Sequence, residues 1–405
     1  MNSDFFDLLP TPYPYDLEER LNNNFRLNYD LQDEIDLIYP NQKQKKKKLN
    51  ILILGCGCNE AVYHAYRNPK LAFHAVDYSK VAIDKTKEQI KQFKLKNIDV
   101  EKKDISDITN GSYDVIFTMD VLSYVESPLK ILKQIQKLLS KDGKVLLSLP
   151  SYYHYNQVHY VRKTLLKLGY SYSNSDEVDA AFSLVRKLPE LHPSRIALIN
   201  FTRKEINLEN LIDKNDFIHD YLVPRFNIYT LDDLFELLDD AKLYFQSWYD
   251  NALYYSSSTL SNSLFTNDKD KNIQNLSSLD LKDQWDFTNR LRGPYRNHYK
   301  HRLCLSKNKN DEFIEEKLIK DDNSLVFMRP YASLSNNPDL GGRFFIKSNF
   351  TKSLTDIEVN LLDNLSEPLS ISKLVEKNKD LYDEKEIKDN LKNLQEYSAI
   401  SFLTN

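Results

Sequence analysis

Between residues 49 and 150 the chain repeats one pattern: a short, nearly continuous apolar run, then a stretch whose apolar residues recur three and four positions apart. The runs are ILIL, LAFHAVD, NIDVEKKD, YDVIFTMD and KVLLSLP. The helical stretches between them cover residues 60–67, 80–93 and 129–139. Apolar runs of this length read as buried strands, and the 3.6-residue periodicity reads as amphipathic helices. Strands separated by helices need crossover connections, so the pattern predicts a parallel sheet with its ligands beyond the strands' carboxyl ends. Gly55, Asp77, Asp104 and Asp120 all fall at such ends and should share one crevice.

The flanking segments are patterned differently. Residues 1–48 hold the aromatic residues Tyr13, Tyr15, Phe25, Tyr29 and Tyr39 among prolines, with an amphipathic stretch over 17–38. They read as a helical N-terminal cover, and the Lys45 to Lys48 run that closes them reads as a solvated linker. In residues 151–310, SYYHYNQVHYVRK opens a helix that reaches residue 168, and a second helix falls at 176–188. TLDDLFELLDDA carries a threonine cap, and FQSWYDNALYY reads as a strand and loop. The stretch 256–282 is rich in Ser, Asn and Asp and reads as an exposed loop, and HRLCLSK is a further strand. Together these pieces suit a mostly helical lid over the crevice. Residues 311–405 begin with strand-like SLVFMRPYAS and GRFFIKSN, continue with three short helical patterns and finish on AISFLTN. Their order is the outline of a winged helix, with Ile357, Leu361, Leu362, Leu365, Ile371, Leu374, Val375, Ile387, Leu391 and Leu394 as its core.

Composition narrows the class. With 405 residues and 41% hydrophobic content, the chain can bury the cores of two or three domains. A formal net charge of -4 does not suit a general binder of nucleic acid or anionic membrane. Cys56, Cys58 and Cys304 form neither an even disulfide framework nor a four-ligand zinc pattern, so a reducing cytoplasm fits. The opening MNSDFFDLLPTPYPYDLEE reads as neither a signal nor a transit peptide, and no apolar run reaches membrane-spanning length.

The chemistry starts at ILILGCG. A strand ending in Gly-x-Gly before a helix brings backbone close to whatever lies above it, and Asp77 at the next strand end is placed to accept hydrogen bonds from a ribose. No third glycine follows at dinucleotide spacing and no Gly-Lys-Ser/Thr occurs, so neither a pyrophosphate cradle nor a P-loop is present. In order along the chain, ILGCGCNE, VDYS, KKDISD and FTMDVLSYVESPLKIL resemble class I S-adenosylmethionine-dependent methyltransferases over roughly residues 49–150. The resemblance implies an α/β fold with a Rossmann-like seven-stranded sheet, S-adenosylmethionine as methyl donor and S-adenosylhomocysteine as its product. It implies that Gly55, Cys56 and Gly57 run beside the methionine part, that Asp77 with Tyr78 holds the ribose, and that Asp104 and Ile105 border the adenine. Asp120 and Val121 would line the floor where donor and acceptor meet. Cys58 and Asn59 depart from the family's usual Gly or Ser/Thr followed by Gly. LPSYYHYNQVHYVRKTLL, the VPRFNIYTLDDLFELLDDAKLYFQSWYDNALYY block and HRLCLSK are similar to a bacterial group of these enzymes often fused to tetratricopeptide repeats, which are absent here. That narrower resemblance supplies no acceptor.

Methyl transfer asks mainly for alignment, with a base only where the acceptor is protonated. His154, His159 and Tyr229 are the candidate bases or positioning groups, with Tyr153 beside them, and Arg162 or Arg225 could grip an acidic substrate. Trp248, Asn251 and Tyr254 could line an acceptor pocket, although large aromatics at this spacing also suit a core. No metal site is expected: His154 and His159 do not share a helical face, and a metal on Cys56 and Cys58 would collide with the nucleoside. EKEIKDNLKNLQEYS mixes both charge signs and is poorly suited to DNA, so the C-terminal module suits protein or peptide contact, or support of a homodimer or lid. The leading expectation is a cytoplasmic enzyme that methylates an O, N or C nucleophile of a small molecule. The alternatives are an enzyme that modifies peptides or proteins recruited through the C-terminal module, and an inert cofactor-binding regulator.

Overall fold

The computed structural model describes residues 3–10, 15–23, 30–41, 43, 48–198, 205–259, 271–292, 300–330, 333–337, 342–347 and 350–404. Tyr13, Phe25, Tyr29, Lys45 to Lys47 and residues 260–270 of the expected loop lie outside them. The chain divides into two compact units, one of Met1–Arg26, Lys48–Leu243 and Gly293–Arg302, the other of Leu27–Lys47, Tyr244–Arg292 and Leu303–Asn405. The N-terminal cover is therefore shared out: helices α1 (Ser3–Leu8) and α2 (Leu17–Asn22) belong to the first unit, and α3 (Leu31–Ile38) to the second.

The apolar runs form the expected strands β1 (Asn50–Leu54), β2 (Ala72–Asp77), β3 (Ile98–Lys102), β4 (Tyr113–Met119) and β5 (Leu139–Pro150), which pair with one another in parallel. Strand β6 (Tyr244–Trp248) runs antiparallel to β7 (Lys300–Ser306), and the seven-stranded sheet has the order β3-β2-β1-β4-β5-β7-β6. Chain order reverses direction between β1 and β4, the point where an open α/β sheet leaves a crevice beyond its strand ends. Helices α4 (Glu60–Arg67), α5 (Lys80–Gln92) and α6 (Pro128–Leu138) supply the crossovers. Ser79 caps α5 by accepting from the Ala82 amide at 3.1 Å, and Pro128 sits where a missing N–H costs nothing.

After β5 come α7 (Tyr152–Lys167), α8 (Ser175–Arg186), α9 (Pro193–Ile196) and α10 (Leu211–Tyr221). Val158, Leu165, Val178, Ala181, Val185, Phe217 and Tyr221 bury themselves together, and Phe5 of α1 joins that core. The segment expected to form a lid is thus a helical bundle with its own apolar centre. Helix α11 (Leu231–Ala241) starts in a capping box between Thr230 and Asp233 and packs on α6.

In the second unit, three helices at Asp356–Asp363, Ile371–Asn378 and Glu384–Glu396 share a core with Val326, Ile400 and Phe402. Strands β8 (Leu325–Met328), β12 (Leu369–Ser370) and β13 (Ile400–Leu403) form a three-stranded antiparallel sheet in the order β12-β8-β13. This is the winged-helix-like outline, with β8 from ahead of the helices taking the place of a strand after them. SLVFMRPYAS divides: its first half is β8, and its end opens β9 (Ser333–Asn337) of a separate antiparallel sheet with β10 (Gly342–Lys347) and β11 (Phe350–Ser353). Two buried charges of this unit pair with each other, Arg329 Nη2 donating to Glu34 Oε2 at 3.1 Å. Among the described residues no helix is long and apolar enough to cross a membrane.

Candidate active site

The glycine loop leaves β1 with Gly55 at φ +68° and Gly57 at φ +55°, both in the left-handed region that a side chain resists. A Cβ on Gly55 would stand 2.5 Å from Val121 Cγ2, so the loop after β1 and the turn after β4 can touch only because Gly55 is bare. The Gly57 amide donates to Asp77 Oδ2 at 2.9 Å, and its carbonyl accepts from Thr86 Oγ1 at 3.0 Å. Asn59 takes the N-cap of α4 at φ −131°, outside the left-handed region, so this position does not require the family's glycine. Glu60 follows in the first turn, its carboxyl nine-tenths buried. Cys56 and Cys58 are buried free thiols, pushed up by burial, Cys58 to about 12, and are therefore inert.

Asp77 closes β2 and is the hinge of the crevice. Its second oxygen, Oδ1, accepts from the Ser79 amide at 2.8 Å, so one carboxylate ties the glycine loop to the start of α5. Burial pushes its carboxyl above the usual range while the Ser79, Gly57 and Tyr78 amides oppose the shift. A carboxylate has about four lone-pair sites, so with these three amides upon it Asp77 keeps capacity for a further hydroxyl donor. Asp7 of α1 reaches the same corner, accepting from Ser79 Oγ at 2.8 Å and the Val81 amide at 3.3 Å. At the end of β3, Asp104 accepts from the amide and hydroxyl of Ser106 at 2.8 Å each, and the buried Ile105 gives its carbonyl to Gln134 Nε2 at 2.9 Å. Tyr78, between Asp77 and Ser79, is partly buried.

Beyond β4 the backbone turns through Asp120 at φ +62° into a short 3-10 turn, Val121–Ser123. Asp120 Oδ1 accepts from Ser148 Oγ at 2.7 Å, and Oδ2 holds the Lys300 ammonium. Burial pushes this carboxyl up, but Lys300, Ser148 and the Arg302 charge outweigh it and leave it below the usual range. Aromatic rings stand beside it. Tyr124 meets Phe226 edge-on at 5.5 Å and Phe6 at 5.0 Å, and Tyr155 of α7 lies 5.7 Å from Phe226. Burial, then the charges of Asp120 and Asp220, push both tyrosines up, so their hydroxyls stay protonated. His219 of α10, held by burial near a pKa of about 4 with Lys300 adding to the shift, is neutral; its Nε2 meets the Leu9 carbonyl at 3.2 Å.

Several residues singled out from the sequence fall in or next to this cluster. Arg162 is buried, stacks over Phe226 at 4.5 Å from the ring centroid and donates through Nη1 to the Asp220 carbonyl at 3.2 Å. His159 bonds the Arg162 guanidinium, and burial with the Arg162 and Lys163 charges holds it near a pKa of about 4, a neutral imidazole at physiological pH. Tyr229 serves as a strut: its amide donates to the Pro150 carbonyl at 3.0 Å, its carbonyl accepts from the Tyr152 amide at 2.7 Å, and its hydroxyl donates to the Leu122 carbonyl at 3.3 Å. His154 is buried in α7, Tyr153 packs edge-on to Tyr152 at 5.6 Å, and Arg225 is exposed.

Trp248, Asn251 and Tyr254 belong to the second unit, where Trp248 stacks on Tyr254 with centroids 3.5 Å apart and Asn251 Nδ2 donates to Glu315 Oε2 and the Gln395 carbonyl at 3.0 Å each. All three are buried, so interior packing accounts for them. Sequence reasoning missed Tyr124, Tyr155, Asp220, Phe226 and Lys300. The two tyrosines and Phe226 lay inside the motif segments already singled out. Lys300 stands 180 residues from Asp120, and no local pattern joins them.

A left-handed glycine loop, an acidic β2 end that retains acceptor capacity, and a buried Glu60 carboxyl without a hydrogen-bond donor on Oε1 fit a ligand with a ribose and a cationic group. The sheet order and this crevice define a class I S-adenosylmethionine-dependent methyltransferase, whose cofactor is S-adenosylmethionine. Residues 45–185 match the family described as a methyltransferase domain. Two uncharacterized proteins of Rickettsia prowazekii (strain Madrid E) are similar in sequence. One is 28% identical over 175 residues, which cover 42% of this chain and 70% of that protein. The other is 31% identical over 125 residues, 30% of this chain and only 23% of that longer protein. Among solved structures, PKMT2 from Rickettsia typhi in complex with AdoHcy aligns with a TM-score of 0.60 at 17% identity, over 97% of this chain and 78% of that one. A second structure of the same protein aligns at 0.57 and 16% identity, over 88% and 71%. At these identities the likeness establishes a shared fold.

Proposed function

We propose that the protein methylates a lysine side-chain amine of a protein or peptide. The observation that carries this reading is the extent of the likeness to PKMT2, a protein-lysine methyltransferase: it takes in 97% of the chain, lid and C-terminal strands included, rather than the nucleoside-binding sheet alone. The small-molecule acceptor expected first from the sequence has only the lid's composition behind it.

The cluster at Asp120 suits an amine. When bound, S-adenosylmethionine supplies an activated methyl group, so the chain has only to align a neutral nucleophile and keep water away. Asp120 and Asp220 offer negative charge to an arriving ammonium, and the faces of Tyr124, Tyr155 and Phe226 offer it cation–π contact. Burial among rings lowers the pKa of a lysine and helps it shed its proton. The same cluster already accommodates the aliphatic ammonium of Lys300 on Asp120 Oδ2.

The test separates binding from transfer. Asp120→Asn should lose at least about tenfold in methyl transfer to a lysine-containing peptide library, while S-adenosylhomocysteine still binds by calorimetry within about threefold. Undiminished transfer in a folded variant would overturn the role of Asp120. Wild-type transfer confined to lysine-free peptides would overturn the amine.

A further inference from the structure

We propose that Lys300 is a built-in acceptor: its side chain fills the place on Asp120 that an incoming lysine would take, and its own amine is methylated. The inference rests on the reading that Asp120 and the rings around it receive an amine, and it adds a modification site within the chain itself. Lys300 stands out by where its ammonium lies. Ion pairs of the first unit such as Lys80–Asp84, Lys85–Glu88 and Lys103–Glu101 leave their lysine side chains 35–68% exposed, as surface pairs do. Lys300 is only 23% exposed and reaches the carboxylate of Asp120, just beyond the end of β4. That turn borders the donor's crevice on two sides. Val121, the next residue, lies so close to Gly55 that a Cβ there would stand 2.5 Å from Val121 Cγ2. Tyr124, which closes the turn, meets the Phe6 ring at 5.0 Å, and the Phe6 carbonyl accepts from Ser79 Oγ at 3.1 Å, beside Asp77. On the far side the His219 ring stands 6.3 Å from Tyr124, and the charge of Lys300 adds to burial in keeping that imidazole neutral. The Lys300 ammonium thus lies where the donor's crevice and the ring cluster meet.

Asp120 favours the ammonium form of Lys300, which has no lone pair to give. The methyl donor shifts that balance, because its sulfonium is a like charge and disfavours the ammonium. The partial exposure of Lys300 lets its proton pass to water. The Nζ lone pair then forms the new N–C bond while the bond from sulfur to the methyl carbon breaks, its electrons staying on sulfur. The products are methylated Lys300, S-adenosylhomocysteine and one proton. A methylated lysine can take up a proton again and return to Asp120, so the ion pair survives its own modification. An ion pair that served the fold alone would leave Lys300 unmodified, and this difference is what the chemistry reads.

Two measurements on the full chain test the proposal. In the first, wild-type protein is incubated with saturating S-adenosylmethionine, with and without a lysine-containing peptide library, and the fragment that holds Lys300 is weighed by mass spectrometry. Methyl groups on Lys300 are expected, and the fraction modified per unit time should stay constant over an about tenfold dilution of the chain, as an intramolecular step requires. An unmodified Lys300 in protein that methylates the peptides overturns the built-in acceptor and leaves the lysine reading intact. A rate that falls with dilution overturns it as well. Failure of the lysine reading itself looks different: neither Lys300 nor the peptides gain a methyl group, although a small molecule of a cell extract does. The second measurement needs no donor. Lys300→Ala opens the place on Asp120, and n-butylamine supplies the missing stem and ammonium. It should raise the urea midpoint of this variant toward the wild-type value and leave the wild type unchanged, whereas uncharged n-butanol should raise neither. Equal shifts with the two compounds, or no shift, would show that Asp120 offers no place to an alkylammonium and would overturn the proposal.

Discussion

Replacing Gly55 with alanine probes the contact that brings the β1 loop against the β4 turn. The methyl group would occupy a residue at φ +68°, which costs a non-glycine residue about 1–2 kcal/mol. It would also stand 2.5 Å from Val121 Cγ2, closer than carbon atoms approach, and such overpacking costs about 1–3 kcal/mol. The two together predict a loss of about 2–5 kcal/mol, read by urea unfolding at neutral pH. Only the second part depends on Val121. Val121→Ala removes the clashing methyl, so the double variant should recover about 1–3 kcal/mol relative to the sum of the singles. The backbone strain should remain. If the two substitutions add within about 0.5 kcal/mol, the close approach is not what excludes a side chain at Gly55, and the account of the loop is wrong.

Other perturbations test other parts. His219 is neutral in the folded chain, its pKa lowered to about 4 by burial and by Lys300, whereas an unfolded histidine takes up a proton below about 6.5. Its contribution is therefore fully present above about pH 6.5 and is lost as pH falls toward 4, by at most about 3 kcal/mol. His219→Phe should flatten that part of the stability profile, and parallel profiles for variant and wild type would refute the assignment. Lys300→Met leaves the Asp120 carboxylate with Ser148 as its remaining hydrogen-bond partner and should cost about 1.5–3 kcal/mol at pH 7 in denaturant unfolding. The Asp120 contribution lies above the ordinary carboxyl pKa and disappears in acid, so the wild type and Lys300→Met should converge as pH falls. In the second unit, Arg329→Met should cost about 3–5 kcal/mol by stranding Glu34, and adding Glu34→Leu should restore much of it. An additive double variant would show that the pair is not coupled.

The parallel part of the sheet was legible because its strands are nearly unbroken apolar runs and its helices are amphipathic, signals that survive without tertiary information. Asp77, Asp104 and Asp120 could be placed for the same reason, each being the polar residue that ends a run. Other features were hidden for physical reasons. The left-handed turn at Asp120 leaves no mark, since aspartate tolerates it without glycine. Strand β11 is the short, mostly polar FTKS, and SLVFMRPYAS is one apolar stretch that serves two sheets. For Trp248 and Tyr254, the same spacing suits a pocket wall or a stacked core pair, and only the fold selects the stack. The proposed acceptor cluster draws on Asp120, Tyr155, Asp220, Phe226 and Lys300, which come from four separate stretches of chain. No motif can join residues that only the fold brings together.

The claim that this is a methyltransferase of protein lysines is tested most directly by following the methyl group. The full chain is incubated with S-adenosylmethionine labelled in the methyl carbon and a cell extract, and the label is separated into acid-precipitable protein and small molecules. A parallel extract has its protein amines blocked by acetylation. The account predicts label in the protein fraction, recovered after hydrolysis as Nε-methylated lysine and absent from the acetylated extract. Label confined to the small-molecule fraction, or label in protein that survives acetylation, would contradict it.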